Sequence, residues 1–134
     1  MAKKTWVYAP KKAKVKVTDE VKERVKKKAD KLIESVIKPK HLKPPPKNPE
    51  FNYIVDIYSK WYRHYFYFCT KYHCPGKNAI SPSFDTKFAR LEYLPNGRYA
   101  LAYMRHTGQW FEINNDISLE TALRQIQDGP HFIP

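Results

Sequence analysis

From residue 18 onward the apolar positions fall at helical spacing: Val21, Val25, Ala29, Leu32 and Val36, with Ile33 and Ile37 beside them. Such a stripe turns one face of a helix toward a core. Thr18 stands where an N-cap is needed, and Asp19 and Glu20 occupy the first turn, where the helix dipole favours acids. Glu20–Arg24 and Glu23–Lys27 are favourable i,i+4 pairs. Pro39 disfavours helical geometry in the residue before it, so the pattern predicts a helix over 18–38. The proline-rich stretch "PKHLKPPPKNPE", residues 39–50, then reads as a stiff, polyproline-like connector.

After residue 50 the period changes to two. Alternation predicts strands at about 52–58, 61–72, 86–94, 98–105 and 109–113, all within a sheet region spanning 51–113. Residues 73–85 form the longest loop within it. "LPNGR" carries an Asn-Gly hairpin signal and "HTGQ" marks a second tight turn. Ser118 caps a closing helix, 118–128, with Leu119, Ala122, Leu123 and Ile126 on one face and Gly129-Pro130 ending it. The fold class is therefore α+β: an antiparallel sheet of about five strands with an N-terminal and a C-terminal helix packed on one face. One domain, 18–134, follows a basic, partly mobile tail, 1–17, from which Trp6 and Tyr8 are candidates to dock on the domain.

Taking Asn96-Gly97 and Thr107-Gly108 as two-residue turns sets a register. Tyr93 then faces Ala100, Leu91 faces Ala102, Ala89 faces Met104, and Met104 and Ala102 face Phe111 and Ile113. These residues form one apolar face for the helices to cover. Phe88, Arg90, Glu92, Leu94, Tyr99, Leu101, Tyr103, Arg105, Trp110 and Glu112 form the other. In the aromatic run "WYRHYFYFCTKY", read as one strand, Phe66 and Phe68 join the core face, while Trp61, Arg63, Tyr65 and Tyr67 join the second.

Charge sharpens this picture. The 134-residue chain carries net +12, of which residues 1–50 hold +10 and residues 51–134 only +2. A lysine-rich segment attracts polyanions through counterion release, without reading sequence. Lys11, Lys12, Lys14 and Lys16 are its candidates, and a merely solubilising tail is the alternative. No apolar run is long enough to span a bilayer. The start has lysines but no apolar h-region, so no secretory signal is read, and the expectation is a cytoplasmic protein with reduced thiols.

On the second face Arg63, Arg90 and Arg105 alternate with Tyr65, Tyr67, Tyr103 and Trp110. Aromatic planes stack bases, and arginines hold phosphates or lie over rings. Tyrosines and Arg–Glu pairs also suit any half-exposed sheet, and the signature of the common aromatic RNA-binding sheets is missing. Cys69, His73 and Cys74 are the alternative metal set, but their spacing lacks the paired C-x2-C geometry of zinc knuckles, so no metal and no cofactor is expected. With no phosphate loop, nucleophile elbow or HExxH, the reading leans against an enzyme.

"VIKPKHLKPPP", "FARLEYLPNGRYALAYMRHTGQWFEI" and "SLETALRQIQDGPHF" resemble a small bacterial family catalogued only as a domain of unknown function, number three-zero-two-four. The likeness covers roughly 18–134 and is carried by Ala89, Arg90, Arg105, Gly108 and Trp110. It implies one α+β unit and brings no catalytic signature. The residues therefore lead to a non-enzymatic nucleic-acid-binding protein that uses the basic N-terminal segment and the Arg/Tyr/Trp face. The alternatives are an accessory subunit that binds a protein partner through that face, then a small zinc-dependent or acid–base enzyme.

Overall fold

The computed structural model describes residues 16–47, 50–77 and 79–134. Helix α1, Asp19–Leu32, begins as its cap dictates: the Thr18 hydroxyl accepts from Val21 N at 3.3 Å. The helix does not stop at Lys38. It runs through a π turn, Ile33–Ile37, into a short α2, Lys38–His41. In the π turn Lys38 N donates to Ile33 O, five residues back. That wider turn opens the ladder ahead of Pro39, whose missing N–H and bulky ring would otherwise meet the Ser35 carbonyl. Proline here reshapes the helix rather than ending it, and extended backbone resumes only at Leu42.

Five strands follow as a simple meander in the order β1-β2-β3-β4-β5, every pair antiparallel: β1 Tyr53–Tyr62, β2 Tyr65–His73, β3 Ser83–Tyr93, β4 Tyr99–Met104 and β5 Trp110–Ile117. Helix α3, Leu119–Asp128, closes the chain, with Ser118 Oγ accepting from Thr121 N at 3.2 Å. The helices pack on one sheet face, and Lys28 Nζ of α1 meets Glu120 Oε1 of α3 at 2.8 Å. Between the layers lie Val25, Ala29 and Ile33 from the helices and Phe66, Phe68, Leu91 and Leu101 from the sheet. Burying a large apolar side chain contributes ~1.5–3 kcal/mol, so this layer carries much of the stability.

The aromatic run is not one strand. Tyr62 pairs with Tyr65 across a two-residue turn, Arg63-His64, in which Arg63 has φ 56. His64 O accepts from Tyr93 N at 2.9 Å, tying the turn to β3. No glycine or asparagine marks this turn, which is why alternation alone runs straight through it. With the turn in place, Trp61 moves to the helix-covered face, where its Nε1 donates to Lys22 O at 3.1 Å.

The hairpin registers also differ from the two-residue reading. Gly97 N donates to Leu94 O, and Leu94 N to Arg98 O, each at 2.9 Å, so the first loop has three residues, Pro95-Asn96-Gly97. Pro95 cannot supply the N–H that a two-residue loop asks of the residue before its turn, whereas the second position of a type I turn suits its fixed φ. Gly97, at φ +79, then takes the left-handed position that closes such a loop. The second hairpin repeats this design over His106-Thr107-Gly108, with Gly108 at φ +83.

Leu91 therefore faces Leu101, and Arg90 faces Ala102. The extra residue recurs in both loops, so the two shifts cancel for β5 and β4 alone is inverted. Tyr99, Leu101 and Tyr103 turn toward the helices; Ala100 and Ala102 turn to the other face, yet stay buried at 3% and 1% exposure. A bulge between Phe68 and Cys69 also carries Phe88 into the core.

Candidate functional site

Four expected residues share the face that no helix among the described residues covers: Tyr65 and Tyr67 of β2, Arg90 of β3 and Trp110 of β5. The pairings Tyr67–Arg90–Ala102–Glu112 run across it as one row. Ala102, with no side chain beyond Cβ, forms a floor between strands, and large groups close over it. The Arg90 guanidinium carbon lies 5.0 Å from the ring centroids of both Tyr65 and Trp110. Trp110 and Tyr67 approach to 5.8 Å, and Lys87 Nζ sits 5.3 Å from the Tyr67 ring. Cation–π contacts of this kind draw a charge to the ring face by electrostatic attraction.

The rest of the face leans positive. Lys60 is opposite Tyr67, and Lys87 opposite Cys69. Two of the carboxylates here have partners: Asp85 accepts from the Tyr58 hydroxyl, and Glu92 Oε2 lies 3.2 Å from His64 Nε2. The Asp85 carboxylate beside it pushes the Tyr58 phenol well above its usual range, and burial raises Tyr67. Lys60 and Lys87 were not singled out by the sequence; their alternation with Tyr58, Tyr67 and Cys69 was the available signal.

The other expected residues lie elsewhere. Tyr103 is on the helix-covered side, stacked on His131 at 4.4 Å and 14°. Arg105 lies beyond the end of β4, over the Phe111 ring at 5.2 Å. Arg63 occupies the β1–β2 turn, over Tyr62 at 5.3 Å, and forms a rim to the cluster. Lys16 is exposed; Lys11, Lys12 and Lys14, like Trp6 and Tyr8, lie outside the described residues. A cleft of about 570 Å³ opens at the β2–β3 loop, lined by Cys74, Ile80, Ser81 and Phe84, and includes none of the aromatic cluster.

Cys69 lies mid-strand in β2, while Cys74 follows the strand end, its N–H held by Pro82 O at 2.8 Å. Among the described residues no group of three His, Cys, Asp or Glu side chains is placed to hold a metal ion. Burial pushes the Cys69 thiol above its ordinary range, with Lys60 and Lys87 opposing. Because the thiolate is the reactive form, native protein at neutral pH is expected to alkylate quickly at Cys74 and slowly at Cys69. A count of modified thiols against time, native and unfolded, checks this; rapid modification of both in the native state would contradict the burial.

The family model described as "Domain of unknown function (DUF3024)" matches residues 17–134. No curated protein and no solved structure matches the chain significantly.

Proposed function

We propose that this chain, which belongs to the DUF3024 family, is a non-enzymatic nucleic-acid-binding protein that lays a single strand across the open face of its sheet. The observation that carries this reading is the Tyr65–Tyr67–Arg90–Trp110 cluster, set on the sheet face opposite the described helices and flanked by Lys60 and Lys87. Unpaired bases expose π faces that rings of this kind stack, whatever the sequence. Lysines at the start of the chain and along α1 add a long-range attraction that salt weakens.

Fluorescence of the three tryptophans, read with a single-stranded oligonucleotide at low salt, tests the stacking half. Quenching through Trp110 is expected, and none at saturation removes the proposal. Removing residues 1–15 tests the other half while keeping Val17, which is buried against the domain. Affinity is expected to fall and the slope of log K against log salt to flatten, by roughly one unit for each phosphate no longer neutralised. An unchanged slope makes the lysine-rich start a solubiliser only.

A further inference from the structure

Among the described residues Arg90 holds a charge with no paired counter-charge. Its Nε is buried and meets no acceptor there, and its guanidinium makes no hydrogen bond and no ion pair with them. The carboxylates of its own face do not supply one. Glu92 is engaged with His64, and Glu112, across Ala102, makes no ion pair with it. Among the described residues the two Nη groups also have no hydrogen-bond partner, and neither is one of the buried unpartnered atoms. The guanidinium carbon stands 5.0 Å from the ring centroids of both Tyr65 and Trp110. A buried donor left open is explained by an ordered water, an ion or strain, and here it belongs to a cation set beside two aromatic rings.

We infer that Arg90 is an anion receptor, its Nη edge taking a phosphodiester oxygen of a strand whose bases stack on the neighbouring rings. This rests on the nucleic-acid reading above. A planar guanidinium fork held beside aromatic rings suits bidentate contact with phosphate. The aromatic neighbours and Lys87 favour a phosphodiester flanked by bases over a carboxylate on a peptide. Lysine at this position keeps the charge but loses the fork and the guanidinium plane that lies near the rings.

The experiment uses the full chain and a short oligothymidylate, with a strand of the same bases made neutral by methylphosphonate linkages. In wild-type protein the ¹⁵N–¹H signal of Arg90 Nε is expected to shift with the phosphodiester strand and stay still with the neutral one. Arg90→Lys is expected to bind the charged strand roughly tenfold more weakly. The neutral strand should bind wild type and variant alike, because each change removes the same interaction. A Nε signal indifferent to linkage charge, or Arg90→Lys binding like wild type while the tryptophans still quench, overturns the receptor and leaves the stacking reading standing. Failure of wild type to bind the charged strand at all removes both. An acidic peptide that shifts the signal where the oligonucleotide does not would assign the fork to a protein carboxylate instead. The signal is read on wild-type protein, so the result does not depend on the variant folding.

Discussion

Leu101→Asp is expected to leave no cooperatively folded protein, whereas Ala102→Asp, one residue further on, is expected to fold. Both positions are buried, at 0% and 1% exposure. Leu101 packs between the helices and Leu91, so the change removes a core side chain at ~2–5 kcal/mol and adds an unpaired buried charge. Together these consume most of the ~5–15 kcal/mol that a domain of this kind has. Ala102 faces the other way, directly opposite Arg90. An aspartate there meets the guanidinium that lacks an ion pair. The pair offsets much of the desolvation, although Glu112 on the opposite side repels it. The expected loss is about 1–3 kcal/mol, read as a lower denaturation midpoint with the transition intact. The same variant should lose oligonucleotide affinity, because its new carboxylate occupies the fork. If Ala102→Asp unfolds and Leu101→Asp does not, the three-residue loops are wrong and β4 points the other way.

Trp110→Ala is expected to weaken single-strand binding by about 1–3 kcal/mol, roughly fivefold to 150-fold, with the salt slope unchanged. The slope stays because every phosphate keeps its cation; the affinity falls because a stacking plane and one ring beside Arg90 go together. Tyr103→Ala is the control. It stacks on His131 and meets Phe132 on the helix-covered side, so it is expected to lower the melting temperature and spare binding. Binding isotherms at several salt concentrations, with a thermal melt of each variant, separate the two. Equal loss of affinity from both would mean that the open face is not the binding surface.

Much of this fold is legible in the chain itself. The stripe from Val21 to Ile37, capped by Thr18, specifies a helix, because its apolar side chains recur at the helical period whatever surrounds them. Alternation specifies five strands, and Ser118 the start of the last helix. Tyr65 and Tyr67 share one face in the sequence as in the sheet, since side-chain parity within a strand is a local property, whereas Arg90 and Trp110 join them only through the way the strands pair.

What the pattern leaves open is whatever crosses from one element to the next. Whether a loop holds two residues or three depends on Pro95 lacking an N–H and on Gly97 reaching a positive φ, and one residue of difference inverts every side chain of β4. The turn at Arg63-His64 carries no turn residue and is held by a bond from Tyr93, at the far end of β3, so no local signal announces it. Pro39 ends a helix by local preference, but a π turn upstream lets this one continue. The unpaired state of Arg90 belongs to the same class. A sequence shows an arginine two residues before a glutamate; only the packed sheet sends that glutamate to His64 and sets two rings beside the guanidinium. Periodicity is set by bonds within a segment and can be read along it, while register and charge pairing are set by which segments meet, and three-dimensional packing alone decides that.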